Sequence, residues 1–514
     1  MTASRPASGA FRTLPPEWLV LFVAGLIALV TACHAPIAAP LTDAFQEGEY
    51  LATYLQFAPA LPLPLLIHGG MDYLPAQAVF ALVGPDHLVT GVRLANALLG
   101  FVASLLFIAC LRAIPATRCG RLVATVLGCA LLLLVNGRIM GIVELQQGAP
   151  AIRDLGLLAE LWLLLRAERA SDGAARVLSA LAGLVAGLAL FWAYNRGIVG
   201  VLALGAWMAG AQARGWRPGA IAMPLLGLCS GVAICLAADP AMFAQHLANI
   251  AYWQQNQAIW AKRPDFLPEQ IYAAEFVIGS LALFAGSALT LANVWRKGLN
   301  ANGIANLLML GAVAVLLAYG TLSRLDSFHI QFALPFELLL AFRLALSWCP
   351  AKWPAPTRAQ GWIAAALAIW LIAVVQPVQL ALGFADNLAM LSRGLPADRA
   401  LADPPLAAAA GALRAGGGSC TYAFDNGGAI YHLANLPPCS ATMVPVYAAA
   451  ERQARVIAEL SARRPPLVIA ASDAWYAAID GKPLAQRTPA LQRWLNANYV
   501  PHSRAGGIEL WRVK

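Results

Sequence analysis

Residues 41–50 read LTDAFQEGEY and directly follow an apolar segment that ends near Ala35. Three carboxylates, Asp43, Glu47 and Glu49, fall within seven positions here, in a chain that is otherwise poor in acids. The first loop of a membrane protein is often polar simply because water meets it. The density of acids in this loop instead favours a catalytic carboxylate cluster at the membrane surface.

The composition around this loop is that of a membrane protein. Of the 514 residues, 60% are hydrophobic and only 12% are charged, with a mean hydropathy of +0.65. An ordinary soluble domain carries about 25% charged residues. The formal charge of +9 does not indicate nucleic-acid binding, because most of the excess Lys and Arg lies in short loops, where it sets membrane orientation.

A membrane-spanning helix needs about 20 mostly apolar residues, and by this criterion we count about eleven candidates. They lie at residues 18–35, 90–111, 122–135, 155–165, 177–193, 198–213, 220–237, 271–292, 304–322, 330–348 and 362–384. Residues 57–88 are apolar but rich in Pro and Gly, which favours short helices along the membrane interface.

Every second loop between these candidates is short and basic, as is the segment before the first span. This alternation predicts that these loops and the N-terminus are cytoplasmic, and that everything after residue 384 is extracytoplasmic. An alternative reading of the first span as a signal peptide is less favoured, because the span is long for one. The predicted organisation is a membrane module over residues 1–384, with its first outer loop at 36–89, and a second domain over 385–514.

The second domain is less apolar, and its pattern predicts a small α/β fold. Strand-like runs lie at residues 421–424, 467–471 and 508–513, and helical patterns at 405–415, 448–463 and 489–498. Cys420 and Cys439 are the only cysteines of this domain, and an oxidising compartment would permit a bridge between them. Spacing alone leaves two free thiols as the alternative.

Cationic side chains collect in the same outer loops as the acids. A general base there would take a proton from an acceptor hydroxyl, and arginines would hold a phosphate leaving group. Each Arg could equally be an interfacial anchor or a simple ion-pair partner. The candidates for phosphate binding are Arg153, Arg196, Lys262, Arg263 and Arg324.

Two glutamates lie within the predicted spans, and the His and Cys residues show no metal-binding motif. Glu337 and Glu160 fall inside apolar spans, where we expect Glu337 to pair with Arg343 or to hydrogen-bond within the bundle. None of the seven His lies in a zinc-binding spacing, and the nine Cys form no C-x-x-C pair. Carboxylates could bridge a divalent cation to phosphate, but no ligand set is recognisable.

The sequence resembles the GT-C membrane glycosyltransferases, on the branch of protein O-mannosyltransferases and lipid A aminoarabinose transferases (glycosyltransferase family 39-like). The resemblance covers the layout of nearly the whole chain and rests on short motifs. They are Asp43 with residues 47–50 (EGEY), His68-Gly69 with Asp72, Arg93 opening the second span, Arg153-Asp154, residues 195–197 (NRG) and residues 323–326 (SRLD).

This resemblance implies transfer of a sugar from a polyprenyl-phosphate donor to an extracytoplasmic acceptor, and we expect inversion at the sugar carbon. The catalytic base would be Asp43, Glu47 or Glu49. Supporting or substrate-binding roles fall to His68, Asp72, Arg93, Arg138, Asp154, Asp326 and His329. The family often has adjacent acids in the first outer loop, whereas Gln46 precedes Glu47 here, so the identity of the base stays open.

A helical segment would place Asp43 and Glu47 four residues apart on one face, which favours these two over Glu49. Two other function classes stay open. A transporter or flippase of a lipid-linked or anionic solute would use the same arginines, but it would normally show internal repeats, and none is convincing. A scaffold that binds a partner through its outer domain is the other class, but it would not explain the density of acids in the first loop.

Overall fold

The structure is a computed structural model that describes residues 16–57, 71, 74–134, 150–213, 215, 218–259, 261–262, 267–297, 303–348 and 377–514. His68, Asp72, Arg138 and Arg263 lie outside the described residues, as does most of the eleventh predicted span.

The first part of the chain is a bundle of α-helices. Their bounds are α1 Pro16–Cys33, α2 Gln46–Phe57, α3 Leu74–Val83, α4 Leu88–Ala113, α5 Arg118–Leu134, α6 Pro150–Ala167, α7 Asp172–Trp192, α8 Tyr194–Ala213, α9 Pro218–Ala238, α10 Pro240–Gln255, α11 Leu267–Lys297, α12 Ile304–Thr321, α13 Ser327–Ile330 and α14 Leu334–Trp348. Short 3₁₀ turns occupy Pro85–His87 and Gln257–Ile259. The long helices coincide with ten of the predicted spans.

Among the described residues, five helical segments are both long and apolar enough to cross a membrane: Pro85–Ala113, Asp172–Trp192, Ile221–Ala238, Leu267–Val294 and Ile304–Thr321. A sixth apolar helix, Glu17–Cys33, is shorter. The chain is therefore a polytopic helical membrane protein, and the number of about eleven spans stays a prediction.

Glycines allow a close contact between the helices α7 and α9. A Cβ added at Gly183 would lie 1.9 Å from the Pro224 carbonyl oxygen, and one at Gly227 would lie 1.9 Å from the Ala180 carbonyl oxygen. The two backbones therefore touch, as small residues permit in membrane helix pairs. In a second contact, Ser280 donates a 2.6 Å hydrogen bond to Glu337, which satisfies this buried carboxyl within the bundle.

The C-terminal domain follows helix α15 Pro377–Arg393, which crosses the predicted boundary at residue 384. Its remaining elements are α16 Asp398–Leu401, α17 Pro404–Ala415, α18 Ala429–Ala434, α19 Ala450–Arg463, β1 Leu467–Ser472, α20 Leu484–Arg487, α21 Pro489–Asn498, β2 Tyr499–Ala505 and β3 Ile508–Val513, with 3₁₀ turns at Pro445–Tyr447 and Trp475–Gly481.

The sheet of this domain is antiparallel, in the order β1-β3-β2. Leu467 pairs with Arg512 in one ladder, and Tyr499 pairs with Val513 in the other. The predicted strand at 421–424 makes only isolated bridges, Thr421 to Pro438 and Ala423 to Ile469, because a turn follows at once. Strand β2 was not predicted from the sequence, because its residues are mostly exposed and lack the apolar pattern that predicted β1 and β3.

The domain packs directly onto the acidic first loop. Backbone hydrogen bonds run from Leu41 N to the Leu401 oxygen (2.7 Å) and from Ala429 N to the Ala44 oxygen (2.8 Å). A Cβ at Gly48 would lie 2.2 Å from the Ala429 nitrogen, so only glycine fits there. The loop, the start of α4 and the C-terminal domain share one buried apolar core.

Candidate active site

Glu47 is held in a buried bidentate ion pair. Arg93 donates from Nε to Glu47 Oε1 at 2.6 Å and from Nη2 to Oε2 at 2.9 Å, and Arg93 is fully buried. The remaining nitrogen of Arg93, Nη1, donates to the carbonyl oxygens of Ile37 (2.9 Å) and Ala39 (2.5 Å). The pair therefore ties α2 and the loop before it to the first turns of α4.

This pairing makes Glu47 a poor general base. Burial raises the pKa of Glu47 to about 7, although the Arg93 guanidinium opposes the rise. Both of its oxygens accept from Arg93, so a proton that arrived at Glu47 would disrupt a buried ion pair.

Asp43 lies just before α2 and helps to start it. Its Oδ1 accepts a hydrogen bond from the backbone nitrogen of Gln46 at 3.0 Å, as an N-terminal capping acid does. Because α2 begins at Gln46, Asp43 and Glu47 do not share a helical face as we expected from their spacing. Glu49 is half-buried within the first turn of α2.

The C-terminal domain covers Asp43, which is only 7% exposed. Burial raises the pKa of the Tyr476 phenol, and the negative charges of Asp425, Asp403 and Asp43 raise it further. The charge of Asp43 thus acts on the Tyr476 phenol, although the two residues lie in different parts of the chain.

A second cluster gathers at the starts of α6 and α8. Arg196 Nε donates to Asp154 Oδ1 at 2.5 Å, and both side chains are buried. The guanidinium of Arg153 lies over the ring of Phe332, 4.9 Å from its centroid, and that of Arg196 lies 5.9 Å from it. Two arginines thus converge on one aromatic ring, in a cation–π arrangement.

The loop after α12 carries a chain of ionic contacts. His329 Nδ1 and Asp326 Oδ1 lie 2.7 Å apart, and Arg324 Nε donates to Asp326 Oδ2 at 2.9 Å. Burial opposes ionisation of Asp326, but the hydrogen bonds and charge of His329, together with Arg324, lower its pKa to about 2. Burial lowers the pKa of His329, the charge of Asp326 opposes this, and Arg324 and Arg153 lower it further.

Arg324 also binds the C-terminal domain. It donates from Nη2 to Asp480 Oδ1 at 2.7 Å and from Nη1 to Oδ2 at 3.1 Å, while Arg487 lies 3.5 Å from the same carboxylate. We call this contact of Arg324, Asp480 and Arg487 the interdomain latch. Lys262 is beside it, since its backbone nitrogen donates to the Ser323 oxygen at 3.1 Å.

An apolar groove of about 610 Å³ runs between α11 and α14. It begins at Ile330, directly after His329, and continues past Phe276, Leu338 and Leu344 to Trp348. Its lining is mostly apolar, with Glu275 and Glu337 as the two acidic lining residues, and Ile330 adjoins His329 of the ionic contacts described above.

The structure thus brings most of the predicted residues to one end of the bundle. Asp43, Glu47, Glu49 and Arg93 form one group, and Arg153, Asp154, Arg196, Lys262, Arg324, Asp326 and His329 form another. The 3₁₀ turn at residues 475–481 contacts both groups, because Trp475 packs against Phe45 of the acidic loop and Asp480 binds Arg324. Sequence analysis missed both residues, which carry no motif and lie more than 400 positions from the acidic loop.

A disulfide joins Cys420 to Cys439, whose Cα atoms are 5.2 Å apart, and this is the pair for which the sequence predicts a bridge. No cluster of three or more His, Cys, Asp or Glu side chains suited to a metal ion occurs within the ranges that the structure describes.

The helical bundle, the acidic first loop and the domain docked on that loop together form a fold that two solved structures share. The structure is similar to that of ArnT from Cupriavidus metallidurans bound to undecaprenyl phosphate, with a TM-score of 0.53, 14% identity, and 97% of this chain and 98% of that one covered.

It is also similar to the Archaeoglobus fulgidus oligosaccharyltransferase tethered to an acceptor peptide, with a TM-score of 0.54, 10% identity, and 94% and 72% of the two chains covered. No protein-family model matches the sequence, and no curated protein sequence is detectably similar to it. The expected GT-C fold is confirmed by the two structures.

Proposed function

We propose that this protein is a glycosyltransferase that moves a sugar from a polyprenyl-phosphate donor to an acceptor on the extracytoplasmic side of the cytoplasmic membrane. The observation that carries the proposal is the placement of Asp43. It lies at one end of the bundle beneath the C-terminal domain, while Glu47 of the same loop is engaged by Arg93.

The reaction is a single displacement. The acceptor hydroxyl transfers its proton to Asp43 as its oxygen forms a bond to the anomeric carbon of the sugar. The bond from that carbon to the phosphate oxygen breaks, and polyprenyl phosphate leaves with the electron pair. Attack opposite the leaving group inverts the configuration of the anomeric carbon.

We infer that Arg153, Arg196 and Lys262 surround the leaving phosphate, because Arg153 and Arg196 converge on the ring of Phe332 and Lys262 lies beside Ser323. Arg324, next to Ser323, binds Asp326 and Asp480. The groove between α11 and α14 would hold the prenyl chain, since it starts beside this cluster and is lined mostly by apolar side chains. Both similar structures are of transferases, and the one from Cupriavidus metallidurans holds undecaprenyl phosphate.

The second candidate, a transporter of a lipid-linked or anionic solute, is less well supported. A transporter gathers its polar side chains along a path through the membrane. Here, the described candidate residues gather at one end of the bundle, under a docked domain.

The test is release of sugar from radiolabelled undecaprenyl-phosphate hexose and undecaprenyl-phosphate aminopentose by purified protein in detergent. We expect Asp43→Asn to lose at least a hundredfold in rate, as the removal of a general base does. Asp86→Asn, at an exposed carboxylate outside the acidic loop, is the control and should stay near the wild-type rate. Wild-type turnover by Asp43→Asn would refute the assignment of the base.

Orientation is tested separately. A reporter that is active only outside the cytoplasm, fused after Lys514, should be active. A reporter that is active only in the cytoplasm, fused at the same point, should be silent. The reverse pattern would show that one of the predicted spans does not cross the membrane.

A further inference from the structure

Four arginines surround the connection between α4 and α5, and we call them the basic turn: Arg112, Arg118, Arg121 and Arg169. Arg169 reaches the connection from the turn after α6 and donates to the Pro115 oxygen at 2.5 Å. Arg121 Nη1 donates to the Ala116 oxygen at 2.9 Å. Carbonyl groups are neutral acceptors, so these bonds hold the two guanidinium groups in place without cancelling their charge.

Acidic side chains neutralise only part of this charge. Within the described part of the chain, Glu17 of α1 is the one acid that forms ion pairs with the basic turn, to Arg112 Nη2 at 3.3 Å and to Arg118 Nε at 3.1 Å. Glu168, in the turn after α6, accepts from the Gly303 nitrogen at 2.8 Å. Four arginines thus face two glutamates, and the excess charge reaches the surface, where the Arg118 side chain is 67% exposed.

Two of these cations stand where a helix disfavours them. Arg118 and Arg121 occupy the first turn of α5, and this turn contains no acid. The N-terminus of a helix carries partial positive charge, so it repels cations, and the two arginines also repel each other. A local arrangement that costs stability in this way is expected where a ligand offsets the cost.

The basic turn lies at the opposite end of the bundle from the acidic loop. Helix α4 begins at Leu88 beside that loop and ends at Ala113, and its 26 residues span about 39 Å. The connection belongs to the set of short basic loops that orient the chain in the membrane. The neighbouring helices α1 and α5 expose large apolar side chains there: Trp18, Leu19, Leu122 and Val123.

Orientation alone does not account for this arrangement. Loop arginines orient a membrane protein wherever they lie along their loops. Here arginines from two separate loops converge on one connection, because Arg169 follows α6 while Arg118 and Arg121 begin α5. Basic surfaces between membrane helices are the sites at which the head groups of anionic lipids bind.

We propose that the basic turn binds the head group of an anionic phospholipid. The phosphate would lie against the guanidinium groups, which donate paired N–H groups and stay charged at every accessible pH. The acyl chains would lie along the exposed apolar side chains of α1 and α5. A soluble anion would gain from the charge but not from these side chains, so the combination favours a lipid. The proposal does not depend on the chemistry at the other end of the bundle.

The experiment counts lipid bound to the full chain by native mass spectrometry. Protein in mild detergent is titrated with phosphatidylglycerol and, separately, with phosphatidylcholine of the same acyl chains. We expect wild type to bind phosphatidylglycerol at least tenfold more tightly than phosphatidylcholine. Arg118→Gln/Arg121→Gln should lose at least tenfold in affinity for phosphatidylglycerol. Arg118→Lys/Arg121→Lys should lose less than threefold, because both charges remain.

The matched control removes the same charge elsewhere. Arg393→Gln/Arg399→Gln takes two exposed arginines from α15 and α16 and should bind phosphatidylglycerol as wild type does. Equal binding of phosphatidylglycerol by Arg118→Gln/Arg121→Gln and wild type would overturn the proposal, as would equal binding of the two lipids by wild type. Displacement of the lipid by an equal concentration of inorganic phosphate would also overturn it, because the site would then belong to a soluble anion.

Discussion

At the scale of single residues, Asp43 and Glu47 of the acidic loop have different surroundings. Glu47 was as good a candidate for the base as Asp43 from sequence, since both are carboxylates at a membrane surface. The structure separates them through Arg93, which uses three nitrogens to bind Glu47 and two backbone carbonyl groups. A bidentate guanidinium pair of this kind positions a chain segment.

Glu47→Gln is therefore expected to act through stability. It leaves the Arg93 charge buried and incompletely paired, which costs about 3–5 kcal/mol. The melting temperature in detergent should fall by several degrees, and expression should fall with it. The double variant Glu47→Gln/Arg93→Met removes both charges and should recover part of the loss. A Glu47→Gln protein that melts like wild type but is catalytically dead would instead make Glu47 the base.

The lowered pKa of Asp326 predicts that the free energy of unfolding decreases as the pH falls into the acidic range. Its pKa is lowered to about 2 in the folded protein, below its value of about 3.9 in an unfolded chain. Its contribution is thus present above pH 4 and lost as pH falls toward 2, and it amounts to about 1–2 kcal/mol after solvent screening. The melting temperature of the wild type should fall between pH 5 and pH 2. The melting temperature of Asp326→Asn should fall less over the same range.

At the scale of elements, the contact of α7 with α9 depends on glycines, which have no side chain to keep the two backbones apart. Gly227→Ala would place a methyl group 1.9 Å from the Ala180 carbonyl oxygen, so the helices must separate. Overpacking of this kind costs about 1–3 kcal/mol. Gly205→Ala, in α8 with nothing within 4 Å of the added Cβ, is the matched control and should be neutral or slightly stabilising. Denaturation in detergent measures both, and equal stability of the two variants would contradict the close packing.

The sequence predicts some helices and strands correctly and misses others. Apolar runs of helical length and the basic loops predicted ten helices of the bundle close to their observed positions, because the membrane imposes one simple rule on them. Strand β2 was missed, since its exposed residues give no alternation. Asp43 and Glu47 were placed on one helix face, because nothing in the spacing shows that Asp43 caps the helix.

At the scale of the whole molecule, the site depends on contacts between residues far apart in the chain. Tyr476, Trp475 and Asp480 come to the acidic and cationic groups only through docking of the C-terminal domain, and no local pattern signals this. The same limit applies to Arg324. From sequence it was a phosphate ligand at the end of a span, whereas Asp480 and Asp326 both hold it in the structure.

The disulfide is a property of the C-terminal domain as a unit. Cys420 and Cys439 are separated by 19 residues, and closing a loop of this length stabilises a fold by about 3 kcal/mol in chain-entropy estimates. We expect a non-reduced digest of protein purified without reductant to yield the linked peptides. Cys420→Ser/Cys439→Ser should lower the melting temperature of the domain while sugar release stays in place. Complete alkylation of both thiols before reduction would show that the bridge does not form.

The interdomain latch determines how firmly the C-terminal domain is held over the bundle. Asp480→Ala removes the carboxylate that joins Arg324 to Arg487, and leaves two partly buried guanidinium groups facing each other. We expect faster hydrogen exchange at residues 475–487 and 323–329, since both segments lose their shared partner. Asp473→Ala removes an exposed pair with Arg504 in the same domain and should leave exchange at these segments unchanged. If Asp480→Ala exchanges like wild type and Arg324→Glu weakens donor binding without loosening the domain, then Arg324 serves the donor phosphate and not the latch.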